Sequence, residues 1–274
     1  MSKKRIITMF ASLCIIILLC VLGGAVFVIR DIDVVFSGNK PEGIDDAELI
    51  RKANIEYGKS IFSISESKVV TNIETNYPDI KVRGIERVFP NKIILKLAER
   101  VPVAAIKFAD KQEYLILDSN MCAMEKVGAA SEKLNGLCMV RGFELSGNTD
   151  IYLGKQLPAS YGIEAVVVQQ IMAGLSESID AGELTRFLGE IYFVDGYPLV
   201  SIRTRYGESG YGVTIRLDFS ALDKDKYEVY NLIKGAYRFY LNDESMSDPQ
   251  NKSEGYILYD KTNNQFFYKK NDTN

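Results

Sequence analysis

The first part of the chain is a long apolar stretch: no charged residue occurs from Ile6 to Ile29. Fifteen of these 24 residues are Ile, Leu, Val or Phe. As a helix the stretch would be about 36 Å long, which exceeds the ~30 Å hydrocarbon core of a bilayer. The pattern therefore predicts a transmembrane helix over residues 6–29, preceded by a cytoplasmic tail of residues 1–5.

The charges beside this stretch predict its orientation. Lys3, Lys4 and Arg5 precede it, and basic residues next to a membrane helix stay on the cytoplasmic side. The remainder of the chain is then outside the membrane. The alternative is a cleaved signal peptide, whose apolar region is normally about 7–15 residues, and the greater length here favours a retained anchor.

Residues 30–100 show the periodicities of a small α+β unit. Asp45 followed by Glu48 resembles a capping box, and Ser63 with Glu66 resembles a second one, so each pair predicts the start of a helix. Pro78 ends the second helix. Strands are predicted before and after the helices, at residues 32–36, 81–88 and 92–98. The predicted order is β-α-α-β-β.

Residues 101–274 are richer in strand patterns, and we predict a β domain over 101–241 that residues 242–274 complete with a last hairpin. Helices are predicted near 163–175 and 221–241, whereas 119–160 is weakly patterned. The predicted strands are 103–108, 113–117, 187–194, 199–205, 213–218, 256–260 and 265–270.

Composition narrows the possible functions. The chain has no histidine, which excludes Ser-His-Asp and Cys-His nucleophiles and His-ligated zinc. The net charge of −3 argues against a nucleic-acid binder. Two acidic patches, one at residues 42–48 and one at 243–248, lack the spacing of a calcium loop and are interpreted as solvated surface. These observations make catalysis less expected but leave carboxylate or lysine chemistry open, and we predict no metal and no cofactor.

Three further features have two interpretations each. Cys122 and Cys138 could form a disulfide worth about 3 kcal/mol or remain buried free thiols, and the second is favoured. Arg87 next to Phe89-Pro90 could meet an acidic partner, or Phe89 could pack and Pro90 could set the turn. Alternate arginines on neighbouring strands could form a binding face, or simply a polar outer sheet face: Arg203, Arg205 and Arg216.

Several motifs in order resemble the FtsQ/DivIB family of cell-division proteins. Glu99-Arg100-Val101-Pro102-Val103-Ala104 is similar to the junction between the POTRA and β domains of that family, and Tyr114-Leu115-Ile116-Leu117-Asp118 is similar to the strand that follows. The family often has glycine in the turn after this strand; here we expect Asn120 to adopt the left-handed conformation instead. Further matches are Ile32-Asp33-Val34, Gly38-Asn39, Gly58-Lys59-Ser60-Ile61-Phe62, Tyr77-Pro78-Asp79-Ile80 and Glu86-Arg87-Val88-Phe89-Pro90-Asn91-Lys92-Ile93.

The resemblance implies an α+β protein with a single transmembrane helix, a POTRA-like domain and a strand-rich β domain. It also implies a non-catalytic, single-pass type II protein of the cell membrane and division septum. Its partners would be FtsB/DivIC-like and FtsL-like bitopic proteins, through which it would act on septal peptidoglycan synthases. In the family the last two strands receive the FtsB-like partner, which is consistent with strand addition to a free sheet edge.

The resemblance assigns two sets of residues. Glu99, Arg100 and Pro102 would form the domain junction. The partner-binding residues would be Tyr256, Leu258, Tyr259, Gln265, Phe266, Phe267 and Tyr268.

Two other functions compete with this interpretation. The first is a POTRA-containing membrane scaffold for sporulation or secretion. The second is a cell-wall enzyme with paired carboxylates, which is disfavoured because no suitable pair of strand-end acids is present. A scaffold without histidine should bind its partners with little dependence on pH between about 6 and 8.

Overall fold

The computed structural model describes residues 26–146, 151–194, 196–207, 210–220 and 228–271. The chain divides into two compact units, Met1–Arg100 and Val101–Asn274. We call them the first and the second unit. Most of the predicted membrane helix, residues 6–25, lies outside the described residues. Within the part that is described, no helix combines the length and the apolar character needed to cross a membrane.

The end of the predicted membrane helix requires a correction. Val28 forms an isolated antiparallel bridge with Ser60, and Ile29 is buried in the core of the first unit. The Ile29 amide donates to the Lys59 carbonyl at 2.8 Å, and the Gly58 amide donates to the Ile29 carbonyl at 2.9 Å. The prediction of helix through residues 27–29 is therefore wrong, because their apolar side chains and backbone groups are used by the first unit.

The first unit has the predicted order β-α-α-β-β. Its sheet has the order β1-β3-β2, with β1 parallel and β2 antiparallel to β3. Ile93, Leu95 and Leu97 alternate along β3 and are fully buried beneath the two helices. The elements are β1 (Asp31–Ser37), α1 (Asp46–Ala53), α2 (Glu66–Asn76), β2 (Ile80–Val88) and β3 (Lys92–Glu99).

The two predicted helix starts have different outcomes. The Asp45 carboxylate accepts a hydrogen bond from the Glu48 amide at 3.1 Å, so α1 begins as predicted. The second start is wrong, since α2 follows Ser65 and the Ser63 hydroxyl instead donates to the Ser60 carbonyl at 2.6 Å. Ser63 lies in a short 3-10 helix, Ile61–Ser63, that precedes α2.

The second unit is built on a nine-stranded sheet, with the order β12-β11-β10-β9-β8-β7-β4-β5-β6. The pairs β4–β7, β7–β8 and β10–β11 are parallel and the remaining pairs are antiparallel. Its strands are β4 (Pro102–Phe108), β5 (Glu113–Asp118), β6 (Ala123–Gly128), β7 (Cys138–Leu145), β8 (Leu188–Phe193), β9 (Leu199–Tyr206), β10 (Gly210–Asp218), β11 (Tyr256–Asp260) and β12 (Gln265–Lys269).

Helices bury the main core of this unit against the sheet. Val213, Ile215 and Leu217 alternate along β10 and are buried in the same cluster as Val229 and Ile233 of α5. The strand-rich second unit and the α+β fold class are thus confirmed. The helices are α3 (Ile163–Ser176), α4 (Ala181–Phe187), α5 (Glu228–Asn242) and the short α6 (Pro249–Ser253).

A candidate partner-binding edge

The last two described strands form a hairpin whose turn is held by Asp260. Its carboxylate accepts hydrogen bonds from the Thr262 amide at 2.8 Å and from the Asn263 side-chain amide at 2.6 Å. Donation from Asn263, followed by that from Thr262, holds the pKa of Asp260 below its usual value. Asn264 then adopts a left-handed conformation, with φ of 53°, which returns the chain into β12.

One face of the hairpin packs onto the domain. Phe266 pairs with Tyr259 across the two strands, and their ring centroids are 5.0 Å apart. The Phe266 ring is also 6.4 Å from that of Phe239 on α5. The Tyr268 hydroxyl donates to the Glu254 carbonyl at 3.2 Å, and burial is the main cause of the raised pKa of Tyr268. These half-buried side chains hold β12 against the domain.

The other face of the hairpin is open to solvent. Phe267 pairs with Leu258 and retains 40% of its exposure, while Gln265 is exposed at the start of the strand. Tyr256 lies at the same face, with its ring 3.9 Å from the guanidinium carbon of Arg216. Of the predicted partner-binding residues, Phe267, Leu258, Gln265 and Tyr256 therefore lie together, whereas the core-facing side chains are turned away from them.

β12 is an open edge of the nine-stranded sheet. Among the described strands it pairs only with β11, so alternate backbone N–H and C=O groups along its other side point outward. The opposite edge, β6, is bordered by another segment of the chain. The Gly154 amide donates to the Ala123 carbonyl at 2.7 Å, and the Ala123 amide donates to the Lys155 carbonyl at 2.9 Å. The backbone of Ala123, the first residue of β6, is thus already paired, whereas β11 is the only described strand that pairs with β12.

A basic and aromatic cavity of about 610 Å³ lies beside the hairpin, on the outer face of the sheet. The buried carboxylate of Glu190 forms ion pairs with Arg141 and, at 3.2 Å, with Arg203. Arg216 and Tyr256 also line this cavity. Arg203 and Arg216 thus share a face, as the alternation predicts.

Arg205 does not join that face. Its guanidinium donates to the carbonyls of Leu188 and Leu137, at 2.9 and 3.0 Å. The ladder between β8 and β9 shifts register between Leu188 and Glu190, where β8 carries one extra residue beside this part of β9.

The predicted junction residues differ in their surroundings. Arg100 is buried, and its guanidinium donates to the Ile80 carbonyl at 3.2 Å and forms an ion pair with Glu74 at 2.8 Å. Its amide donates to the Asp79 carbonyl at 2.7 Å. These contacts all fasten the end of β3 within the first unit, whereas Glu99 and Pro102 are exposed.

Other features singled out in the sequence have local roles. Arg87 donates to the carbonyls of Ile61 and Ile64, each at 3.2 Å, and pairs with Glu66, so it acts within the first unit. No disulfide joins Cys122, which is half-buried, to Cys138, which is buried. Burial, the largest cause, raises the pKa of Cys138 to about 12.

The acidic patches contain helix caps. Asp45 caps α1, and the carboxylate of Asp243 accepts from the Ser245 amide at 2.9 Å. Asp248 accepts from the Gln250 amide at 2.9 Å. In the described part of the chain, no group of three or more Cys, Asp or Glu residues is arranged to hold a metal ion.

Two glycines that the sequence pattern does not single out determine how the β11–β12 hairpin packs. Gly235 lets α5 approach the hairpin, since a Cβ there would lie 2.6 Å from Cε2 of Phe266. Gly255, with φ of +88°, lets the chain enter β11 close to the backbone of Lys269. A glycine inside a predicted helix is the available signal for Gly235, because such a glycine often has a packing reason.

The first unit is an α+β module of the POTRA type, followed by a second unit with a large sheet and an open edge. Residues 32–100 match the family model described as "POTRA domain, FtsQ-type", and the resemblance to the FtsQ/DivIB family is thereby confirmed for this part of the chain. No curated protein matches the sequence. An FtsQ-type POTRA domain indicates a cell-division scaffold family and is consistent with protein–protein interaction in division, and domains of this type are generally non-catalytic.

Proposed function

We propose that this protein is a membrane-anchored scaffold of the bacterial division machinery. Residues 6–25 of the apolar stretch anchor it, with the two described units on the outer side of the membrane. Its partners are FtsB/DivIC-like and FtsL-like bitopic proteins, and through them it is linked to septal peptidoglycan synthesis. The protein itself performs no catalysis.

The observation that carries the proposal is the open β12 edge. A partner segment that adds as a further strand would gain main-chain hydrogen bonds along β12 and apolar contact with Phe267 and Leu258. The hairpin is held from behind by Phe266 and Tyr268, so little ordering would be required when the partner binds. The basic cavity next to Tyr256 offers Arg203 and Arg216 to acidic side chains that flank the added strand.

The cellular function is tested by imaging a fluorescent fusion and by depleting the protein. The expected result is a band at midcell, followed by filamentation or failed septa upon depletion. A uniform membrane signal with normal septa would contradict a role in division and would favour a scaffold of sporulation or secretion.

The binding surface is tested by removing residues 256–274 from the full-length protein. We expect partner co-purification to be lost while the shortened protein remains exported and membrane-bound. The matched control is Tyr197→Ala, which removes an exposed aromatic side chain of the second unit outside the hairpin and should leave co-purification unchanged. Undiminished co-purification after the deletion would exclude β11–β12 as the docking edge.

A further inference from the structure

Three phenylalanine rings, two of them exposed and that of Phe27 half-buried, form a cluster at the surface where the described chain enters the first unit. Phe27, Phe62 and Phe89 have ring centroids 5.6, 5.9 and 5.7 Å apart in the three pairs. Phe62 is 60% exposed and Phe89 is 59% exposed. We call this the phenylalanine cluster. Because apolar rings in water are unfavourable, a grouped set of them at a surface indicates a contact site.

The cluster is held in place by the fold. Phe27 precedes β1, Phe62 lies in the 3-10 helix before α2, and Phe89 follows β2. The Ile61 amide donates to the Phe27 carbonyl at 2.8 Å, which ties the first two segments together. Arg87 donates to the Ile61 carbonyl at 3.2 Å and thereby ties the second segment to β2. The rings therefore form a preorganised surface rather than three independent loose side chains.

The cluster lies next to the apolar stretch in the sequence. Residues 6–25 alone are 20 residues long, or about 30 Å as a helix, and so suffice to cross a hydrocarbon core. Phe27 follows two residues later, which is at most about 7 Å of chain. When residues 6–25 span a bilayer, Phe27 must lie within reach of the membrane surface, and its two neighbouring rings lie there with it.

We propose that the phenylalanine cluster inserts into the interfacial layer of the bilayer that the apolar stretch crosses, and so seats the first unit on the membrane surface. The inference rests on the membrane anchoring in the proposed function. The ligand is the boundary between phospholipid headgroups and acyl chains, where Phe side chains on amphipathic surfaces insert about 5–10 Å deep. The bilayer is favoured over a second copy of the chain because the tether keeps it permanently adjacent.

The absence of tryptophan from the sequence makes a direct test possible. In the full-length chain, Phe62→Trp introduces a single tryptophan into the cluster with little change in shape, and Phe89→Trp provides a second, independent probe. The matched control is Val35→Trp, at an exposed position in the same unit. Val35 lies four residues along β1 from Asp31, or about 13 Å of extended strand.

Each variant is reconstituted in vesicles of phosphatidylcholine, with or without bromine atoms high on the acyl chains. An alkaline carbonate wash first establishes that the chain is anchored. We expect brominated lipid to reduce tryptophan emission about two-fold or more at positions 62 and 89, and to leave position 35 nearly unchanged. The same quenching is expected when phosphatidylglycerol is added, because the insertion is apolar.

The outcomes separate the two proposals. The inference is overturned if the variants are anchored but the tryptophan at position 62 or 89 is quenched no more than that at position 35. The proposed function as a division scaffold would be unaffected by that result. A blue shift of the emission that grows with the number of chains per vesicle, without quenching by bromine, would also overturn the inference. Such a result would assign the cluster to contact between copies of the chain. Release of the chain by carbonate would overturn the anchoring itself, and this inference with it.

Discussion

The ring of Phe266 on β12 lies directly over Gly235 of α5, and a Cβ atom at Gly235 would lie 2.6 Å from Phe266 Cε2. The residue at position 235 of α5 therefore determines where β12, the edge strand, can lie. Replacing Gly235 with Ala would force the ring away and shift β12, although alanine favours the helix by about 1 kcal/mol.

For Gly235→Ala we therefore expect little change in global stability but about ten-fold weaker partner binding. Titration of the detergent-solubilised full-length protein with its partner measures the affinity, and amide hydrogen exchange of residues 256–269 measures the hairpin. Gly182→Ala on α4 is the control, because its added Cβ meets only the Asp180 side chain, at 3.3 Å. Unchanged binding by Gly235→Ala would show that the ring position does not matter for docking.

The two faces of β12 predict opposite effects for neighbouring substitutions. Phe267→Ala removes an exposed ring and should weaken partner binding at least ten-fold, with stability changed by less than about 0.5 kcal/mol. Phe266→Ala removes a ring packed against Tyr259 and should cost about 2 kcal/mol of folding free energy. Denaturant unfolding of both variants measures the change in stability, and titration with the partner measures the change in affinity. Equal losses of stability would contradict the assignment of faces.

Arg100 is predicted to stabilise the first unit. Arg100→Ala would leave the Glu74 carboxylate without the ion pair at 2.8 Å and the Ile80 carbonyl without its donor, at a cost of about 3 kcal/mol. Lys96→Ala, which breaks an exposed ion pair between β3 and Glu86 of β2, should cost under about 1 kcal/mol. Hydrogen exchange in β2 and β3 reports the difference, and similar effects of both substitutions would refute a special role for Arg100.

The buried thiol of Cys138 predicts a pH dependence at high pH. Its pKa is raised from 9.0 to about 12, because burial disfavours the thiolate. The folded state thus binds this proton more tightly than the unfolded state, so the associated stability is present below pH 9 and is lost as the pH rises toward 12. At pH 8, iodoacetamide should leave Cys138 unmodified in the native protein and label it in urea. Peptide mapping by mass spectrometry checks this, and rapid native labelling would contradict it.

Partner binding should not change between pH 6 and 8. Near the hairpin, hydrogen bonds from Asn263 and Thr262 lower the pKa of Asp260, and burial raises the pKa of Tyr268. Both changes are away from the range of pH 6 to 8. Histidine is absent throughout. Isothermal titration at pH 6, 7 and 8 with a partner segment that also lacks histidine should give affinities within about two-fold of each other. A steady ten-fold change would reveal a titrating group at the interface.

The sequence predicted those elements whose periodicity is uninterrupted. From Lys92 to Leu97 every second residue of β3 is buried, and the pattern alone indicated both the strand and its inner face. β7 is a central strand with parallel neighbours on both sides, yet it lies in a stretch with no clear pattern. Gly142, with φ of +71°, breaks its alternation where the ladder to β4 shifts register. A single irregular residue thus hid a strand that only the tertiary structure defines.

The turn after β5 shows how packing overrides local preference. We expected Asn120 in the left-handed conformation, but Met121 adopts it, with φ of 58°. The Asp118 carboxylate accepts from the amides of Asn120 and Cys122, at 2.8 and 2.9 Å, and this fixes the turn around Met121. Burial of the Met121 side chain in the core offsets the unfavourable backbone conformation.

The candidate site was predicted as a strand pair but not as a surface. Alternation along β12 indicated that some aromatic side chains must face outward, and Phe267 does. Which face is outward depends on α5 and on Gly235, and these are distant in sequence from the hairpin. The open edge itself follows from the strand order, which periodicity does not contain.

The junction between β10 and β11 has a consequence for when the hairpin is ordered. The two strands meet over only three residue pairs, Thr214–Tyr256, Ile215–Ile257 and Arg216–Leu258, and a long crossover separates them in the chain. A hairpin joined to its sheet by so short a ladder can open as a separate cooperative unit while the rest of the sheet stays folded. A partner strand that binds only the closed hairpin would therefore stabilise the closed state. Binding of the partner would then be detected as slower amide exchange within β11.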